Sequence, residues 1–258
     1  MEVESYEDGV PSWVDHSSPD PAKAGEFYSG LFGWTVDVGP PEYGGYAMAR
    51  KAGKDVAGIG PLMGPGPTVW STYVNVDSAD DAAAKVTENG GQVLVAPMDV
   101  MEAGRMAIFM DPAGAVFGVW QPGAHKGAGL VNEDGTLTWN ELVTSDVEGS
   151  KTFYGAVFGW GSASHEGGPP GGYTEWKLGD RTIGGMMAKP PGMPAQLPSH
   201  WGIYFMVTDV DATVAKAEEL GGTAYLAAFD SPQGRLAGLV DPEGARFSVI
   251  DPTGVPAQ

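Results

Sequence analysis

Trp13-Val-Asp-His-Ser-Ser-Pro-Asp20, followed by Phe27-Tyr28 and Phe32-Gly-Trp34, decides the fold because it occurs twice. It returns 126 residues later as Trp139-Asn-Glu-Leu-Val-Thr-Ser-Asp146, then Phe153-Tyr154 and Phe158-Gly-Trp160. Gly44-Gly-Tyr46 returns within one residue of that offset as Gly171-Gly-Tyr173. Farther along, Trp70 and Gly90-Gly91 match Trp201 and Gly221-Gly222 with the same internal spacing. Gly104-Arg105 and Asp111-Pro-Ala-Gly114 match Gly234-Arg235 and Asp241-Pro-Glu-Gly244 at an offset of 130. Repetition in this order along the chain means one domain written twice.

Each copy divides again. Residues 12–18 read as a strand, and Asp20-Pro21 then supplies an N-cap with proline at the first helical position. Ala24, Phe27, Tyr28, Leu31 and Phe32 recur at helical spacing, and Gly33 closes the helix. Strands at 45–51 and 55–62 follow. A second unit starts with a strand at 69–76 and a helix at 79–89 that places Ala82, Ala83 and Val86 inward. Gly90-Gly91 stops that helix, and strands at 92–96, 105–110 and 115–120 complete the unit. The chain is therefore an α+β protein of four βαβββ-like units. Its segments are an N-terminal tail (1–10), a first domain (11–122), a Gly-rich polar linker (123–136), a second domain (137–252) and a C-terminal tail (253–258). The runs 64–67, 167–172 and 190–194 are Gly/Pro connectors, and none resembles a phosphate-cradling loop.

Composition bounds the function. The 258 residues contain no cysteine, which excludes disulfides, thiolate catalysis and Cys-based metal sites. Fourteen basic residues stand against 33 acidic ones, a formal charge of −19 that disfavours nucleic acid and anionic membrane as partners and would attract cations. The acidic, polar start MEVESYEDGV has neither a basic nor an apolar signal region, and no apolar run reaches the roughly 18 residues of a membrane span. The expectation is a soluble, cytoplasmic, acidic protein, and the bland account of the charge is solubility.

A strand, an Asp, Phe-Tyr seven residues on, then Phe-Gly-Trp, a Gly-Gly helix stop and a closing Asp-Pro-x-Gly strand together resemble the glyoxalase/bleomycin-resistance/dioxygenase (vicinal oxygen chelate) superfamily over residues 11–252. The resemblance implies paired βαβββ units folded into cup-shaped mixed sheets flanked by helices, commonly with a divalent metal at the bottom of the cup. The ligand positions it implies carry Trp13, a residue near Gly58 to Gly60, Ser71 and Gly118 in the first domain. In the second they carry Trp139, Gly184 or Gly185, Gly202 and Ser248. Indole has no lone pair to offer a metal, and glycine has no side chain, so neither a metal nor another cofactor is expected. The four histidines, His16, His125, His165 and His200, do not repeat between the halves.

Strand parity places Trp13 with Asp15, and Trp139 with Glu141, on one face. Ser71 and Tyr73, or Gly202 and Tyr204, should enter the same cup, with Met48 beside Asp15 and Glu175 opposite Glu141. The candidate ligand-binding set is therefore Trp13, Asp15, Met48, Ser71, Tyr73, Trp139, Glu141, Glu175, Tyr204 and Ser248. The bland alternatives are that both tryptophans are core and that the two acids are exposed or pair with Arg105 and Arg235. Phe27, Tyr28, Phe153 and Tyr154 read as core, and Trp34 and Trp160 as packing at a domain edge.

Two functions fit. One is a metal-free binder, similar to the bleomycin-resistance branch, for a small hydrophobic, aromatic or cationic compound such as an antibiotic or biosynthetic intermediate. Eleven methionines suit an adaptable ligand surface. The other is a metal-independent isomerase, cyclase, lyase or hydroxylase-associated protein using Glu141 or Asp15 as general base and Tyr73 or Tyr204 to stabilise an oxyanion. One or both cups could instead serve the fold alone. The sequence leaves open which units pair and whether the chain is a monomer or a homodimer.

Overall fold

The computed structural model describes residues 1–39, 44–62, 64–165, 172–193 and 197–254. In the first half the order is β1 (Pro11–Ser18), α1 (Pro21–Phe32), β2 (Thr35–Val38), β3 (Ala47–Lys51), β4 (Lys54–Pro61), β5 (Val69–Asn75), α2 (Ala79–Glu88), β6 (Gln92–Val100), β7 (Gly104–Met110) and β8 (Val116–Pro122). The second half repeats it: β9 (Thr136–Thr144), α3 (Val147–Phe158), β10 (Gly161–His165), β11 (Tyr173–Leu178), β12 (Arg181–Ala188), β13 (His200–Met206), α4 (Val210–Glu219), β14 (Thr223–Ser231), β15 (Gly234–Val240) and β16 (Arg246–Asp251). The short strand β2 is absent from the sequence expectation. The expected connector 167–172 and the tail residues 255–258 lie largely or wholly outside the described residues.

The helix boundaries follow from their caps. Asp20 and Asp146 accept the backbone N–H of Lys23 and Gly149, and Gly33 and Gly159 end α1 and α3 in the left-handed region at φ 70° and 72°. Ser78 and Asp209 cap α2 and α4 in the same way.

Each half forms its own eight-stranded mixed sheet, in the orders β2-β3-β4-β1-β5-β8-β7-β6 and β10-β11-β12-β9-β13-β16-β15-β14. The central pair β1–β5 is antiparallel, while β1–β4 and β5–β8 are parallel. Two units thus join inside one half, which settles the pairing that sequence left open. The helices do the opposite and tie the halves together. Phe27, Tyr28 and Phe32 of α1 pack against Phe247 of β16 or Phe205 of β13, and Phe153, Tyr154 and Phe158 of α3 surround Phe117 of β8. One core joins the first and fourth units and another the second and third.

Polar side chains lock both shared cores. Tyr28 donates to Asp241 Oδ2 (3.0 Å) and accepts from Trp70 Nε1 (2.8 Å). Tyr154 donates to Asp111 Oδ2 (3.0 Å) and accepts from Trp201 Nε1 (2.9 Å). His16, fully buried, joins the first network through a 2.7 Å contact with Asp241. Trp34 and Trp160 are buried in these cores and donate to the carbonyls of Gly135 and Gly9. The edge position expected for them is therefore corrected: each indole is buried where a loop from elsewhere in the chain crosses it and supplies an acceptor.

Candidate functional site: two aromatic–carboxylate cups

The register aligns two rows across each concave face. In the first sheet Met48, Gly58, Asp15 and Ser71 form one row, and Trp13, Tyr73 and Gly118 the next. In the second, Glu175, Gly185, Glu141 and Gly202 form one row, and Trp139, Tyr204, Ser248 and Gly238 the next. Cross-strand neighbours share a face, so each tryptophan and the carboxylate two residues beyond it enter the same cup. The structure brings the expected residues together, with one adjustment. Glu175 is two strands from Glu141, with Gly185 between, and it is held by Lys177 Nζ (2.6 Å), Thr182 Oγ1 (3.1 Å) and His165 Nε2 (3.4 Å).

Within each cup the hydrogen bonds repeat. Tyr73 donates to Asp15 Oδ2 (3.0 Å), and Tyr204 to Glu141 Oε1 (2.9 Å). Trp13 Nε1 donates to the Tyr46 hydroxyl (3.1 Å), and Trp139 Nε1 to the Tyr173 hydroxyl (3.0 Å). Tyr46 and Tyr173 also stand beside the two carboxyls and help to hold their pKa values down against burial. In each cup the indole N–H thus binds one phenol, and the carboxyl accepts from the other. The arginines offered as alternative partners are elsewhere: Arg105 pairs with Asp80 and Asp99, and Arg235 with Asp211 and Asp230. A tyrosine hydroxyl serves each cup acid instead, leaving those arginines for acids on their neighbouring strand and helix.

Tyr46 and Tyr173 were not among the expected site residues, although the Gly-Gly-Tyr repeat marks both. Tyr225, whose hydroxyl lies 3.5 Å from Ser248 Oγ and whose ring carries Arg246 at 4.9 Å, has no counterpart in the repeat and so no signal of that kind.

The glycines of these rows explain the metal question. A Cβ at Gly58 would lie 1.7 Å from the Tyr46 hydroxyl, and one at Gly185 1.9 Å from that of Tyr173. At Gly118 it would strike the Tyr73 ring at 2.3 Å, and at Gly238 the Tyr225 ring at 2.4 Å. Phenol rings thus fill the space that ligand side chains would need. Among the described residues no three His, Asp or Glu side chains converge. A donor set of indole, phenol, one carboxyl and serine does not fit a divalent metal, which favours imidazole and carboxylate.

Burial dominates the electrostatics. It pushes the Asp15 carboxyl up to about 7 against the pull of Tyr73 and Tyr46, and raises Glu141 against Tyr204 and Tyr173. The four phenols are raised too, by burial and by the neighbouring carboxyl, so they remain donors at neutral pH. Lys177 holds the Glu175 carboxyl below its usual range.

Residues 12–119 match the model of the Glyoxalase/Bleomycin resistance protein/Dioxygenase superfamily, and residues 139–250 match that of a glyoxalase-like domain. CFP32 of Mycobacterium tuberculosis, which carries a provisional name as a glyoxylase, is 45% identical over 255 residues, 96% of each chain. The chain belongs to the glyoxalase/bleomycin resistance/dioxygenase superfamily. Within it, the anthracycline biosynthesis protein DnrV of Streptomyces peucetius is 40% identical over 261 residues, covering 94% of this chain and 93% of that one. Among solved members of the fold, the 2,3-dioxygenase LapB from Pseudomonas sp. KL28 superposes with a TM-score of 0.66 at 12% identity, covering 95% of this chain and 93% of LapB. The Mn(II)-bound glyoxalase from Novosphingobium aromaticivorans gives 0.62 at 16%, covering 97% and 89%. These two share the fold of this chain.

Proposed function

We propose that this protein binds a flat aromatic small molecule, neutral or cationic, in a cup lined by tryptophan, tyrosine and a carboxyl, without a metal. The observation that carries the reading is the second cup. Its Trp139, Tyr173 and Tyr204 are only half-buried, and they surround Glu141 at the place where the superfamily resemblance puts a metal. Indole and phenol faces favour stacking on a planar ring, and a carboxyl beside them adds a hydrogen bond or a charge for a ligand amine. The kinship with an anthracycline biosynthesis protein supports a polycyclic aromatic compound, as antibiotic or intermediate.

The test is tryptophan fluorescence during titration with an anthracycline bearing its amino sugar and with the corresponding neutral aglycone. Both should quench saturably, with dissociation constants of about 1–100 μM. Trp139→Ala should weaken both about tenfold, and Glu141→Gln should weaken the cationic compound selectively, by about fivefold. Non-saturable quenching by both compounds overturns the reading for this ligand class.

The buried carboxyl beside a phenol donor favours a second, catalytic reading. A carboxyl raised by burial and accepting from the Tyr204 hydroxyl is suited to take a proton from an acidic C–H or O–H and to return it elsewhere on the same substrate. Glu141→Gln separates the two readings: a binder retains the neutral ligand, whereas an enzyme binds but loses turnover.

A further inference from the structure

The first cup has an occupant. The linker after β8 folds back over the concave face and is pinned along its length. Gly123, Ala124 and His125 donate backbone N–H groups to Ala103, Glu102 and Ala103, and Ala128 and Gly129 donate to Ser12 (2.8 Å) and Asp55 (2.8 Å). Tyr6 from the N-terminal tail donates to the Ala128 carbonyl (2.7 Å), and Trp120 Nε1 to that of His125 (3.0 Å). This path places the imidazole of His125 edge-on to Trp13, with ring centroids 4.3 Å apart at 78°, and 5.6 Å from the ring of Trp120. Ala128 joins Trp13, Tyr73 and Trp120 in a core cluster of their own.

The imidazole sits there as a ligand would. Its side chain is 14% exposed, and Nδ1 lies 3.8 Å from Asp55 Oδ2. Nε2 is buried and has no hydrogen-bond partner among the described residues. Burial lowers the pKa of His125 against the pull of Asp55, which keeps the ring neutral near pH 7.

The second cup differs in its described residues. Ile250 stands where the repeat places Trp120, and among the described residues no ring packs on Trp139 as His125 does on Trp13. Trp13 and Tyr73 are 3% and 5% exposed, whereas Trp139 and Tyr204 are half-buried.

We propose that the first cup is a binding site for a flat, neutral nitrogen heteroaromatic ring, that the chain's own His125 fills it as a tethered ligand, and that the second cup alone is open to a diffusible compound. The statement about the second cup rests on the binding function proposed above; the statement about the first does not. An aromatic ring seated by the linker on an indole, with a nitrogen unpartnered among the described residues, exploits the recognition surface of the cup rather than any backbone requirement of the connection.

The probe is imidazole itself. The His125→Gly protein should bind imidazole saturably, with a rise in thermal midpoint and a change in tryptophan fluorescence that the wild type does not show. His125→Leu, which refills the space, should not respond, and Trp13→Phe in the His125→Gly background should lose the fluorescence change. A folded His125→Gly protein indifferent to imidazole overturns the proposal. If that variant fails to fold, refolding of His125→Ala with and without imidazole reads the same point: a yield that rises with imidazole supports a ring site, and an unchanged yield overturns it. Stoichiometry of an anthracycline on the wild type tests the second part, one equivalent supporting it and two overturning it. Imidazole uptake without anthracycline binding leaves the first-cup site standing and removes the ligand class proposed for the second. The opposite pattern does the reverse.

Discussion

At the scale of single residues, the cup acids matter most, because burial moves them toward neutrality. Asp15 binds its proton more tightly in the folded chain, about 7, than in an unfolded one, near 3.8. Between those values the folded state holds more protons, so this residue costs stability progressively as pH rises through the window, and the full cost persists above it. Asp15→Asn should therefore flatten the pH dependence of stability between about pH 4 and 7. At pH 8 it should stabilise the protein by about 1–2 kcal/mol, a figure discounted for the partial exposure of the group. Urea unfolding over pH 4–8 checks this, and a variant less stable than wild type at pH 8 contradicts it. The tryptophans and acids were legible in the sequence because the repeat and strand parity both select them. Tyr46 and Tyr173 were legible only as a repeated Gly-Gly-Tyr. His125, Trp120 and Tyr225 were not, since each departs from the repeat and acts through a fold-back or a strand pairing that periodicity does not encode.

At the scale of elements, α1 and α3 occupy equivalent places but meet unequal partners. Asp241 Oδ2 receives both Tyr28 and His16, while Leu142 stands where His16 would repeat, so among the described residues Asp111 Oδ2 receives only Tyr154 from a side chain. Burial pushes both carboxyls up; at Asp241 His16, the Ala245 N–H and Tyr28 together reverse this and lower it, whereas Asp111 stays raised. Removing the hydroxyl from α3 leaves Asp111 Oδ2 without its side-chain donor, the backbone N–H groups of Ala113 and Ala115 serving only Oδ1, whereas α1 leaves Asp241 Oδ2 with the histidine. Tyr154→Phe should cost about 2–3 kcal/mol and Tyr28→Phe about 1–2 kcal/mol, measured by urea unfolding at pH 7. Equal costs would show that His16 does not support Asp241. The helices themselves were readable from their caps and apolar spacing. Which sheet they cover was not, because amphipathicity specifies that a face is buried and is silent about what buries it.

At the scale of the whole molecule, no helix among the described residues is long and apolar enough to cross a membrane. Stability is set by the two shared cores. Phe247, Phe205, Leu239 and Val249 of the second half pack with α1 of the first, and Phe117, Phe109 and Val119 of the first pack with α3 of the second. A chain cut in the linker leaves both cores half-built. Residues 1–130 alone should lack a cooperative thermal transition as a monomer, whereas the full chain should unfold in one transition by calorimetry and by fluorescence alike. Two separated transitions in the full chain would show that the halves are independent.

The crossing of helices between halves also bears on how a duplicated gene can diverge. After a duplication each copy is ordinarily free to drift, but here each copy supplies the backing of the other, so a change on a convex face is tested against residues of both. Concave faces carry no such mutual constraint. Divergence shows in the cups, where Met48 stands against Glu175 and Trp120 against Ile250, and behind them at His16 against Leu142, while the Tyr–Trp–Asp locks stay paired across the join. A lineage built this way can retire one pocket and specialise the other without renegotiating the scaffold that both depend on.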